Sequence, residues 1–103
     1  MTMTVSKEGD ETVLALEGEL DVYTAARLRE RLVDLIHGVR PNIVVDLAGV
    51  QFADSTGIGT LVLGVRRARG AGGDVVLRAP NPALRRSIEI MGLQEVLSIR
   101  DPR

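Results

Sequence analysis

Residues 52–59 read Phe52-Ala53-Asp54-Ser55-Thr56-Gly57-Ile58-Gly59, and the pattern changes from strand to helix within them. Upstream, Ile43, Val44, Val45 and Leu47 form an almost continuous apolar run, as in a central strand buried on both faces. Ala48 to Phe52 lead out of it. Downstream, Ile58, Leu61, Val62 and Val65 recur at the spacing of one helix face, so the pattern predicts a helix from Thr56. At such a junction a hydroxyl from Ser55 or Thr56 can cap the helix, and an added phosphate would meet free backbone N–H groups. Gly57, Gly59 and Gly64 are poor helix formers, each about 1 kcal/mol worse than Ala. Close approach of the backbone to the sheet or to a partner is the expected use.

Working outward toward the N-terminus, Met1, Met3 and Val5 alternate with Thr2, Thr4 and Ser6, which predicts a half-buried strand. Glu8-Gly9-Asp10-Glu11 is a turn, and Thr12 to Glu17 a second strand, so the chain opens with a hairpin. Gly18-Glu19-Leu20-Asp21 breaks that pattern, with Asp21 as the N-cap of a helix. Ala25, Leu28, Leu32, Leu35 and Ile36 form its core face, and Gly38 and Pro41 close it. Toward the C-terminus, Gly70, Gly72 and Gly73 make a turn before the short strand Val75-Val76-Leu77. Asn81-Pro82 starts a third helix, cap then first-turn proline. Leu84, Ile88 and Met91 are its expected core side, Gly92 its stop, and Val96, Leu97 and Ile99 a last strand. The order β-β-α-β-α-β-α-β predicts an α/β fold: a mixed sheet of four to five strands packed with amphipathic helices on one face or both.

Composition narrows the function. A length of 103 residues with no linker-like stretch predicts a single domain, 1–103. A net charge of −1 offers no bulk attraction for nucleic acid, and aromatics at 2% leave nothing for stacking bases. No apolar run approaches the ~18 residues of a membrane span, and no signal peptide is expected. The absence of cysteine excludes a disulfide framework and fits a cytoplasmic location.

Catalytic readings of Asp54-Ser55-Thr56-Gly57 fail one by one. An aspartic protease places its glycine two residues after the aspartate, and here one more residue intervenes. A serine hydrolase needs Gly-x-Ser-x-Gly and a histidine base, whereas the one imidazole is His37, at the end of the first helix. A phosphoaspartate receiver needs an acidic pair after its first strand and a late lysine, but the single lysine is Lys7. Gly57-x-Gly59 lacks the rest of a phosphate loop, and no spacing of His and carboxylates suggests a metal. Neither cofactor nor metal is expected, and the chain is not expected to be an enzyme. Arg66, Arg67 and Arg69 form a solvated face near a helix C-terminus, which favours cations.

Three segments together carry a family resemblance. Gly18-Glu19-Leu20-Asp21, then Val45-Asp46-Leu47 with the 52–59 stretch, then Pro80, Leu84 and Met91-Gly92-Leu93 resemble the STAS domain. More narrowly they resemble bacterial anti-sigma factor antagonists of the sporulation and stress-response type, over essentially the whole chain. The resemblance implies a STAS-like fold and a partner switch that regulates transcription. The unphosphorylated protein binds an anti-sigma factor with serine kinase activity and releases a sigma factor. Phosphorylation on Ser55, with Thr56 the weaker candidate, switches binding off, and a PP2C-type phosphatase restores it. The implied partner surface comprises Asp21, Tyr23, Asp54, Ser55, Thr56, Gly57 and Ile58, with no role for nucleic acid or membrane. STAS domains also serve, without phosphorylation, as binding modules of transport or scaffold complexes, which is the alternative.

Overall fold

The computed structural model describes residues 1–37 and 41–101. Its elements are β1 (Thr2–Glu8), β2 (Glu11–Leu20), α1 (Val22–Leu35), β3 (Asn42–Ala53), α2 (Ser55–Gly70), β4 (Asp74–Arg78), α3 (Pro82–Ile90) and β5 (Ser98–Arg100). The predicted order stands, and the five strands form one mixed sheet in the order β1-β2-β3-β4-β5. β1 runs antiparallel to β2, and every later pairing is parallel. Gly38, expected to end α1, lies outside the described residues.

Sequential parallel neighbours dictate where the helices go. Each crossover steps to the adjacent strand in the same direction, and such crossovers share one hand, so the helices fall on one face of the sheet. The apolar core agrees: Leu14 and Leu16 of β2, Val45 and Leu47 of β3, and Leu77 of β4 join Leu28, Leu61 and Ile88 of the three helices in one cluster.

Several expectations change in detail. β2 runs on to Leu20, through Gly18, because β3 carries two extra residues where its register with β2 shifts. Those bulges lengthen β3 and bring Val50 into the core. Val5 is exposed, since it sits on the edge strand beyond the reach of the helices. Met91 also points out, because α3 ends one residue earlier and the turn through Gly92 (φ 71°) brings Leu93 to the core in its place.

The other face of the sheet has no helix over it. There the register aligns Val13, Val44 and Val76, and beside them Asp46 with Arg78. Arg78 is only 7% exposed, and its guanidinium joins Glu8 (3.0 Å) of β1 to Asp46 (3.0 Å) of β3. Arg100 of β5 grips Glu11 of β2 through two bonds of 3.0 and 2.9 Å. Val13 and Val44 are buried there, and the ion pairs beside them involve a residue from each of the five strands. Hydrogen bonds to Glu8, then to Asp46, hold Arg78 above the ordinary guanidinium value.

Replacing Arg78 by Ala leaves the half-buried Asp46 carboxylate without its cation, and should destabilise the fold by about 2 kcal/mol in urea titration. The pairing has an acid limit as well. The Arg100 hydrogen bond lowers the Glu11 pKa below its ordinary 4.5. Its stabilisation is therefore complete above that value and disappears as pH falls through the lowered folded-state value. Glu11→Gln should be less stable than the parent by about 0.5 kcal/mol at pH 7. The difference should vanish in acid, and a pH-independent gap would contradict the assignment.

Candidate functional site

The parallel strands β2, β3 and β4 all end at the same edge of the sheet, so α1, α2 and α3 all begin there. Each helix start is closed by a side chain. Asp21 accepts from the N–H groups of Tyr23 (2.9 Å) and Thr24 (3.1 Å), and Thr24 Oγ1 accepts from the Asp21 N–H in return (2.9 Å). Asn81 Oδ1 accepts from the Leu84 N–H at 2.8 Å, while its amide donates back to the Val50 and Gln51 carbonyls of β3. Between these two lies the connection from β3 to α2.

Asp54 builds that connection. Its N–H donates to the Leu20 carbonyl at the end of β2 (3.0 Å), its carboxylate accepts from the Gly57 N–H (2.9 Å), and its carbonyl accepts from the Ile58 N–H (3.0 Å). The cap is therefore Asp54 and neither hydroxyl, which corrects the sequence expectation. The side chain that bonds the third helical N–H defines the cap, so α2 starts at Ser55 rather than Thr56. Ser55 and Thr56 are consequently the first two residues of the helix, and both are exposed. Among the described residues the Ser55 hydroxyl has no hydrogen-bond partner. The N–H groups of Ser55 and Thr56 precede the first intrahelical bond and are free of one.

The seven residues expected on the partner surface divide. Tyr23 is 85% exposed, Asp21 and Asp54 are half-buried, and all three stand at this edge with Ser55 and Thr56. Gly57 and Ile58 are instead buried. Ile58 is the first core position of α2, in phase with Leu61 and Val65, so its place is in packing. A Cβ on Gly57 would stand 2.5 Å from Leu20 Cγ and 2.6 Å from the Leu20 carbonyl oxygen, so a residue without a side chain lets α2 start against β2. Two apolar side chains at the same edge escaped the sequence reading: Val22 and Phe52, 58% and 53% exposed. Phe52 pairs with Glu19 one step from the strand ends, and Val22 opens α1. The signal available was position, since Val22 follows the Asp21 cap and Phe52 lies two residues before the Asp54 cap, where the core ends.

The edge offers a surface hydroxyl beside the Asp54 cap, and Glu19, Asp21 and exposed apolar groups stand at the same end of the strands. His37 follows the C-terminal end of α1, near the last turn of α2 and at the other end of the helix layer from this edge. Among the described residues no cluster of His, Cys, Asp and Glu could hold a metal ion. No helix among them is long and apolar enough to cross a membrane.

Comparison with known proteins agrees with the fold. Residues 3–99 match the family model described as "Mlab, STAS domain". The chain is 32% identical over 97 residues to the anti-sigma-B factor antagonist of Listeria monocytogenes, covering 92% of this chain and 83% of that one. It is 30% identical over 99 residues to the anti-sigma-B factor antagonist of Bacillus subtilis, covering 96% and 90% respectively. The crystal structure of an anti-sigma factor antagonist from Mycobacterium paratuberculosis superposes with a TM-score of 0.84 at 28% identity, over 95% of this chain and 83% of that one.

The division of labour between Asp54 and Ser55 is measurable. Asp54→Ala should lower stability by about 1 kcal/mol through loss of the cap. Ser55→Ala should stay within about 0.5 kcal/mol of the parent. Equal losses in chemical denaturation would return the capping role to the serine.

Proposed function

The chain belongs to the STAS domain family, and we propose that it acts there as an anti-sigma factor antagonist switched by phosphorylation of Ser55. The unphosphorylated edge binds an anti-sigma factor that is also a serine kinase, and a sigma factor is released in the cytoplasm. The kinase modifies Ser55, and a PP2C-type phosphatase resets it. In this reading the chain is a substrate and a binding partner, not a catalyst.

The observation that carries the proposal is that Ser55 is exposed at the first position of α2 while Asp54 does the capping. Its oxygen can therefore be modified without unmaking any bond that holds the fold. A phosphate adds roughly −1.5 to −2 charge, and the helix N-terminus favours it by about 0.3–1 kcal/mol. Modification should leave the domain folded and act at the interface. There the new charge joins Glu19, Asp21 and Asp54 against a surface that accepted a neutral hydroxyl. Such a mismatch can cost several kcal/mol, and about 4 kcal/mol is a ~10³-fold loss of affinity.

Incubation with native cell lysate and ATP, followed by intact mass and site mapping, should give a single phosphoryl increment on Ser55 that is absent from Ser55→Ala. Ser55→Ala should bind the anti-sigma factor constitutively, and Ser55→Asp should fold yet bind poorly. No increment in a lysate that phosphorylates other proteins would favour the non-phosphorylated module of a transport or scaffold complex. Normal binding by Ser55→Asp would sink the charge mechanism.

A further inference from the structure

α2 contains four glycines, and three have a reason inside the chain. Gly57 fits against Leu20, and a Cβ on Gly64 would stand 2.9 Å from Leu32 Cδ1 at the contact with α1. Gly70 is the last residue of the helix, where glycine is ordinary. Gly59 is different. It lies inside the helix, is exposed, and a Cβ there would meet nothing within 4 Å. Alanine would fit and would favour the helix. Nothing among the described residues accounts for glycine at this position.

The surroundings of Gly59 point outward. It follows Ser55 by four residues, so the two share a face one turn apart. From Ser55 to Val65 the helix carries no charge. The exposed faces of α1 and α3, by contrast, carry Arg29, Glu30 and Arg31, and Arg85, Arg86 and Glu89. Depletion of charge distinguishes the centre of a protein interface from ordinary surface. The exposed Val22, Tyr23 and Phe52 stand at the same edge of the sheet.

We propose that Gly59 is a specificity residue of the partner interface: the main chain of the anti-sigma factor kinase seats on the bare backbone of the second turn of α2. The inference rests on the functional reading above and extends the binding surface beyond the phosphorylation loop. Without a Cβ the two backbones close to a distance that a side chain would forbid. That seating brings the kinase over the Ser55 hydroxyl. Any side chain at position 59 holds it off, whatever its polarity, so the device discriminates by shape where Ser55 discriminates by charge.

Gly59→Ala and Gly59→Gln separate the stability of the helix from the fit of the partner. Gly59→Ala should raise the thermal midpoint by about 4–8 °C. The binding probes are the purified anti-sigma factor kinases encoded in the same genome, titrated against the unphosphorylated parent and variants. Against those that bind the parent, Gly59→Gln should lose more than about thirtyfold in affinity, and Gly59→Ala about tenfold. Parent-like binding by Gly59→Gln, with Ser55→Asp still impaired, would overturn this inference and leave the partner switch standing. An unchanged or lower midpoint for Gly59→Ala would also overturn it, by exposing an internal need for the glycine. If no such kinase bound the parent, the functional reading and this extension would fall together.

Discussion

The three bonds of Asp54 are the constraint on which the functional edge depends. Through its N–H the residue is pinned to the end of β2, through its carbonyl it begins the α2 ladder, and through its carboxylate it closes the helix start. One residue thus fixes the exit of a strand, the entry of a helix and their spacing. Gly57 completes the arrangement, because the approach of α2 to Leu20 leaves no room for a Cβ. Ser55 is left with no structural duty, and a residue without structural duty is free to be modified.

The rest of the molecule follows from strand order. Crossovers that always step the same way put α1, α2 and α3 over one face and their N-termini along one edge. On the face without helices Val13 and Val44 are buried, and Arg78 and Arg100 add ion pairs with Glu8, Asp46 and Glu11. Arg78 lies at the end of β4, three residues before the Asn81 cap, so its ion pairs also brace the strand that delivers α3 to the edge.

Most of this was legible because the informative residues act locally. Asp21 and Asn81-Pro82 cap their helices as their types and positions predict, and Gly92 adopts the left-handed turn that ends α3. The buried spacing of α1 and α2 gave the packing faces directly. What was not legible depended on partners distant in sequence. The bulges of β3 exist only relative to β2, and no local pattern marks them. Asp54, Ser55 and Thr56 are all good caps, so composition could not choose among them. Only the pinning of the Asp54 N–H to Leu20 decides the frame of the helix. Ile58 differs in kind: its periodicity with Leu61 and Val65 marks it as core, and the structure buries it there although it belongs to the motif of the partner surface.

On the proposed reading, a switch at this edge, rather than in a core or at a helix C-terminus, would keep fold and signal separate. Three helix N-termini lie along the edge, each equivalent to roughly half a positive charge. Together they offset the carboxylates of Asp21 and Asp54 and could accept a phosphate without disturbing the packing beneath. Within the isolated domain the two charge states then differ little in stability. A partner that covers the edge removes the water that screens Glu19, Asp21, Asp54 and a phosphate from one another. The same added charge that the free domain tolerates becomes repulsive only on binding. On the proposed reading the energy of such a switch would belong to the complex, and the domain would cycle between its two charge states without unfolding in either.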